Sequence, residues 1–146
     1  MRSCGWIAAA AFLADRITKI LSANLPVFGR VILPGVIRLR PVRNTGMAFS
    51  LLSGHPRLLA GLGLALTAGG ILWLRKQDLR GGTLAGMMLM LGGAAGNLTD
   101  RLLAGSVPDM IELLFIRFPV FNVADICLVA GSGWVILDQI RRDRHG

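Results

Sequence analysis

The chain has 146 residues, 53% of them hydrophobic, yet carries a formal charge of +8. A soluble domain of this size rarely combines the two, so lipid is expected to solvate most of the chain. The basic residues are scattered in short segments flanking apolar runs. That placement suits interfacial or anionic-lipid contact and gives no support to nucleic-acid binding.

Taken in chain order, Arg2, the apolar run from Trp6 and the Ala8-Ala9-Ala10 stretch imitate a secretory signal peptide. More membrane sequence follows, so residues 6–25 are expected to be an uncleaved first span. Next comes a region, 26–53, without helical pattern. Arg30-Val31-Ile32-Leu33, then Pro34-Gly35, then an alternating stretch from Val36 to Arg43 read as a hairpin at the membrane surface. Apolar stretches at 58–74, 83–103 and 120–140 complete four spans. The fold expected is an all-α polytopic membrane protein, a single membrane domain over 1–146, with four transmembrane helices and a small periplasmic β-hairpin or sheet between the first two. Gly82 and Gly86, and again Gly92 and Gly96, stand four apart on the third span, a spacing that lets helix backbones approach closely in lipid.

Four crossings put both termini on one side with the connection from Arg75 to Arg80. That side collects Arg2, Arg75, Lys76, Arg80, Arg141, Arg142 and Arg144, which makes it cytoplasmic. The opposite side also bears Arg30, Arg38, Arg40, Arg43 and Arg57, most of them within the hairpin region, where a folded unit can hold them at the surface.

The polar residues fall on the non-cytoplasmic side. Asp15 and Lys19 lie late in the first span, Asn97, Asp100 and Arg101 late in the third, and Asn122 and Asp125 early in the fourth; Asn44-Thr45-Gly46 and Asp109 sit in the connections there. An ionisable residue in a span is costly unless it pairs or faces a polar cavity, so this cluster is either functional or a set of structural ion pairs. Spacing separates the two readings. Asp15 has Lys19 at i+4, Asp100 has Arg101 beside it, and Asp138 has Arg141 and Arg142 at i+3 and i+4. Asp109, with Gly105, Ser106, Glu112 and Leu113 at helical-neighbour positions, and Asp125, with Phe121, Asn122, Leu128 and Val129, have no such cation. Brought together, two such acids would share a proton, one ionised to activate water and one protonated to assist a carbonyl.

Other chemistries have less to work with. His55 and His145 are the only histidines, which excludes an HExxH metal motif and a histidine-based triad. Cys4 and Cys127 are far apart in apolar settings, as for buried small residues. Ser22, i+3 from Lys19, keeps a Ser–Lys dyad open, and Glu112, the only glutamate, competes as a second acid. A transporter or channel subunit would need polar residues through the whole depth of the bundle, whereas 58–74 is almost purely apolar. A scaffold with a purely structural polar cluster is the other alternative.

The sequence resembles the bacterial lipoprotein signal peptidases, also called signal peptidase II. The resemblance rests on Asp15-Arg16-Ile17-Thr18-Lys19, Asn44-Thr45-Gly46-Met47-Ala48-Phe49, Gly96-Asn97-Leu98-Thr99-Asp100-Arg101, Val107-Pro108-Asp109 and Phe121-Asn122-Val123-Ala124-Asp125, in that order. It implies an aspartyl dyad of Asp109 and Asp125 in a four-helix inner-membrane bundle, active toward the periplasm. Asn44, Gly46, Asn97, Asp100, Arg101 and Asn122 are implied as support around dyad and substrate, and Asp15 and Lys19 as anchors of the first helix. The implied substrate is a prolipoprotein whose lipobox cysteine carries a diacylglyceryl group, received laterally from membrane lipid and cut just before that cysteine. No metal or organic cofactor is implied, and a monomer is adequate for one dyad. Arg16 departs from the family's usual glutamine. Pro108 and Met110 also depart from its pattern of an apolar residue before, and a phenylalanine after, the first aspartate.

Overall fold

The computed structural model describes residues 4–46, 54–77 and 79–145. Arg2, Met47-Ala48-Phe49 of the second motif, the remainder of the expected β region to residue 53, and Asp78 lie outside the described residues. The order is α1 (Gly5–Ser22), β1 (Arg30–Leu33), β2 (Ile37–Asn44), α2 (Pro56–Lys76), α3 (Gly81–Ala104), β3 (Val107–Leu113) and α4 (Val123–His145).

The helices are built inside out relative to a water-soluble bundle. In α1 the buried positions are Ala11, Asp15, Lys19 and Ser22, one stripe at helical spacing, while Leu13, Ile17, Ile20 and Leu21 point outward. Leu66, Leu103 and Val129 are likewise exposed on the other three helices. A polar stripe inward and an apolar surface outward suit a lipid solvent. Among the described residues two helices are long and apolar enough to cross a membrane, Pro56–Lys76 and Val123–Arg144. The other two expected spans are also helical, but α1 carries Asp15, Arg16 and Lys19, and α3 carries Asp100, Arg101 and a run of glycines, all of which lower their hydropathy.

The glycines of α3 are contact points, because lipid supplies no hydrophobic drive and helices must associate by close packing. A Cβ at Gly86 would stand 2.8 Å from the Gly131 carbonyl of α4, and one at Gly92 would collide with the Ala8 carbonyl of α1. Thus α3 is the central helix, with α4 and α1 against its small-residue faces and α2 beside it. Near its start Leu84 and Met88 pack with Leu74 of α2. There Asp138 of α4 accepts from the Thr83 N–H (2.8 Å) and hydroxyl (2.6 Å) and pairs with Arg142 (3.0 Å), supplying α3 with a cap from another helix.

At the opposite end the hairpin forms as expected. Val36 donates to the Leu33 carbonyl at 3.0 Å around Pro34 and Gly35, whose φ of 71° is the positive value that the third residue of a type II turn requires. A third strand joins it, which the sequence pattern does not announce. Asp109, expected in a connection and weighed by helical spacing, lies on β3, which adds antiparallel to β2 to give the order β1-β2-β3. Helix α4 starts at Val123 rather than 120 because Phe121 is held on β3. It accepts from Met110 (3.0 Å) and Ile111 (2.8 Å) and donates to Ile111 (3.0 Å).

Candidate active site

Asp109 reaches its position through the end of α3. Gly105, at φ 66°, closes that helix with its N–H on the Arg101 carbonyl at 3.1 Å, and the chain turns directly into β3. There Asp109 pairs across the sheet with Val42 and is buried, 2% exposed. Asn44, the last residue of β2, donates from Nδ2 to Asp109 Oδ2 at 2.9 Å, while its Oδ1 accepts the Gly46 N–H at 2.9 Å. The side chain thus bends its own backbone and holds the aspartate together.

Asp125 is placed by the start of α4. Its N–H donates to Asn122 Oδ1 (3.0 Å), and the Asn122 N–H donates back to Asp125 Oδ2 (3.2 Å). This is a reciprocal capping box with asparagine and aspartate in the two roles. The Asn122 amide also donates to Asp109 Oδ1 at 2.6 Å, so one asparagine holds both carboxylates.

Asn97 of α3 completes the arrangement. Its Oδ1 accepts from Lys19 Nζ (2.9 Å) and from Asn122 Nδ2 (3.1 Å), which leaves its NH2 facing Asp125 Oδ1 at 2.8 Å. Two donors on the oxygen allow the amide one orientation only. Lys19 spends its other two protons on Asp15 Oδ2 (2.8 Å) and Asp100 Oδ2 (2.7 Å). Asp15 Oδ1 in turn accepts the Ala124 N–H of α4 at 3.1 Å, and Asp15 fits there because Gly96 has no Cβ to collide with its carboxylate.

The expected partners of Asp100 need correction. Residues i and i+1 point about 100° apart on a helix, so Arg101 does not face Asp100. Asp100 instead holds Lys19 and Arg16, the latter through Nη1–Oδ1 and Nη2–Oδ2 contacts of 2.7 Å each. Arg16, given no role from sequence, also reaches Asp15 at 3.1 Å, so two acids and two cations neutralise one another beneath the site. Arg101 turns to the Gly46 carbonyl (3.3 Å).

Asp109, Asp125, Asn44, Asn97, Asn122 and Arg101 line one cavity of about 270 Å³, whose apolar wall includes Phe118, Leu128 and Val129. Burial pushes the Asp109 carboxyl up, and the nearby Asp125 charge adds to this; hydrogen bonds from Asn44 and Asn122 pull it down, and it settles at about 6. No cation contacts either carboxylate among the described residues.

Two rival chemistries lose their geometry. Ser22 donates to the Lys19 carbonyl at 2.8 Å, and Lys19 Nζ is fully engaged with Asp15, Asp100 and Asn97. Glu112 lies three residues from Asp109 on β3, and alternation puts it on the opposite face. There Arg38 Nε, at 2.6 Å, holds the Glu112 carboxyl below its usual range, with Arg40 at 3.3 Å. Glu112→Gln is therefore expected to cost about 1 kcal/mol of stability at most and to leave turnover within roughly twofold of wild type, as measured by thermal denaturation and a cleavage assay in detergent.

Comparison with known proteins gives the family. The family model described as Signal peptidase (SPase) II matches residues 7–141. A lipoprotein signal peptidase of Dehalococcoides mccartyi is 40% identical over 149 residues, covering 95% of this chain and 89% of that protein. One from Thermosynechococcus vestitus is 39% identical over 132 residues, covering 86% and 84%. A bacterial membrane enzyme solved at 2.3 Å by the in meso method superposes with a TM-score of 0.86 at 25% identity, over 97% of this chain and 89% of its own. The chain belongs to the signal peptidase II family, proteases that cleave signal peptides from prolipoproteins.

Proposed function

We propose that this protein is an intramembrane aspartyl endopeptidase with Asp109 and Asp125 as its catalytic dyad, cutting diacylglyceryl-modified prolipoproteins just before the lipidated cysteine. The observation that carries the reading is Asn122, whose side chain binds one carboxylate while its backbone binds the other at the wall of a single cavity. Asp125 is the base that takes a proton from the attacking water. Asp109, carrying the proton favoured by its burial, donates it to the scissile carbonyl; as the C–N bond breaks, Asp125 passes the proton taken from water to the leaving amine and a hydroxyl of the tetrahedral intermediate returns one to Asp109. Asn44, Gly46, Asn97, Arg101 and Asn122 position the dyad and the substrate backbone. Asp15, Lys19 and Asp100, joined by Arg16, lock α1, α3 and α4 behind them.

The proposal includes a placement in the membrane. All four helices cross the bacterial inner membrane as one domain, both termini are cytoplasmic, and the cavity opens near the periplasmic face, where water is available. A lipidated signal peptide is itself an apolar helix and enters sideways from lipid, against Leu128, Val129 and Phe118. No charged side chain of α3 or α4 stands between the dyad and the far end of the bundle, where Asp138 caps α3. Between the dyad and the Thr83–Asp138 cap, α3 offers glycine, alanine, leucine and methionine, which disfavours an ion path.

The test uses purified protein in detergent with a prolipoprotein presented with and without its diacylglyceryl group. Mass spectrometry of the product is expected to show a new N-terminus at the cysteine for the lipidated form alone. With Asp109 as the acid, kcat/KM is expected to fall above pH 6, about tenfold per unit. Cleavage elsewhere, or equal cleavage of both forms, contradicts the proposal.

A further inference from the structure

The sheet does more than carry Asp109. Residues paired across strands share a face. Arg30, Leu39 and Ile111 therefore form one row, and Leu33, Ile37 and Leu113 the next, both on the face that bears Asp109. The opposite face carries Val31, Arg38 and Glu112. Beyond β3, the Leu114 N–H binds the Val36 carbonyl at 2.9 Å and keeps the following residues beside the hairpin turn. Phe115 and Ile116 are exposed there, as are Ile32 and Leu33 of β1, and Phe28, 88% exposed, precedes Arg30.

Two arginines stand in this apolar surface, Arg30 between Phe28 and Val31, and Arg117 between Ile116 and Phe118. Both are exposed, and neither has an acid partner among the described residues. The acids of the sheet are occupied: Asp109 by Asn44 and Asn122, and Glu112 by Arg38 and Arg40. Ile20 and Leu21 at the end of α1, and Val27 ahead of Phe28, are exposed apolar side chains as well. A water-facing position would leave all these side chains uncovered.

We infer that this end of the sheet is an anionic-lipid contact: its apolar side chains enter the outer leaflet, and Arg30 and Arg117 bind headgroup phosphates of acidic phospholipid. Apolar residues alone would accept any bilayer; the two unpaired cations make the fit one for negative surface charge. The contact holds Asp109's strand at a set height above the bilayer, in register with a cleavage point that the substrate's own lipid fixes at the same interface. This inference rests on the orientation proposed above.

Protein reconstituted in phosphatidylcholine, alone or mixed with phosphatidylglycerol, provides the test. Each arginine at a charged surface is worth about a fivefold change in affinity. Phosphatidylglycerol is therefore expected to lower KM for the lipidated precursor by up to about thirtyfold without changing kcat, and Arg30→Gln/Arg117→Gln is expected to abolish that response. An independent reading comes from Phe115→Trp, whose fluorescence should be quenched by lipids brominated near the headgroup, over and above the parent protein. Equal KM in both lipids, an undiminished response in the double variant, or an unquenched Trp overturns the lipid contact. Quenching without any cleavage would instead indict the peptidase reading and leave the contact standing.

Discussion

Asp109→Asn and Asp125→Asn are each expected to lower prolipoprotein cleavage by about 10³-fold or more while the protein still inserts and accumulates. Asparagine keeps the shape of each side chain, and neither aspartate belongs to the charged cluster of Asp15, Arg16, Lys19 and Asp100, so the bundle retains its cross-links. The two variants differ in stability against pH. Asp109 titrates at about 6 in the fold against an ordinary value of 3.8, so the folded state holds this proton more tightly than the unfolded chain. Its contribution to stability is complete below pH 3.8 and is lost as pH rises through 6, a difference of about 3 kcal/mol. Asp109→Asn should flatten that slope between pH 4 and 7 in detergent melts. Processing within tenfold of wild type by either variant would remove that residue from the dyad.

How much of the fold and site is legible in the sequence depends on the reach of each interaction. Asp15–Lys19 is readable because i, i+4 on a helix guarantees proximity, and the pair forms at 2.8 Å. The Leu33–Val36 turn is readable because Pro34-Gly35 fits one turn type. The Asn122–Asp125 capping box is visible as an i, i+3 pattern ahead of an apolar run. Its local function, starting α4 and aiming Asp125, emerges only from the backbone hydrogen bonds. Strand β3 is hidden because Pro108 interrupts a short run whose pairing is supplied by β2, more than 60 residues earlier. Arg16 is hidden for the same reason: its partner Asp100 is 84 residues away, and only α1 packing on α3 brings them together. The proposed dyad stands out in the spacing by what Asp109 and Asp125 lack, a neighbouring cation, and among the described residues neither gains a cation contact in the fold, although Asp109 is on a strand.

Lys19→Met is expected to be the most destabilising single change, at about 3–5 kcal/mol, or roughly a 10 °C fall in Tm. Lys19 is 5% exposed and gives one hydrogen bond each to Asp15, Asp100 and Asn97. Without it Arg16 alone faces two buried carboxylates, and the cluster is left with an uncompensated negative charge, the costly condition for a buried ion group. Adding Asp100→Asn restores neutrality, with Arg16 against Asp15, and should recover much of the lost Tm. Activity should not follow. The Asn97 oxygen would keep only the Asn122 donor, its amide could turn, and the hydrogen bond to Asp125 would no longer be enforced. A double variant that regains stability yet cleaves at least about 10-fold more slowly than wild type separates Lys19's structural role from its aim on the dyad. If activity returned together with Tm, Lys19 would hold the bundle and nothing more.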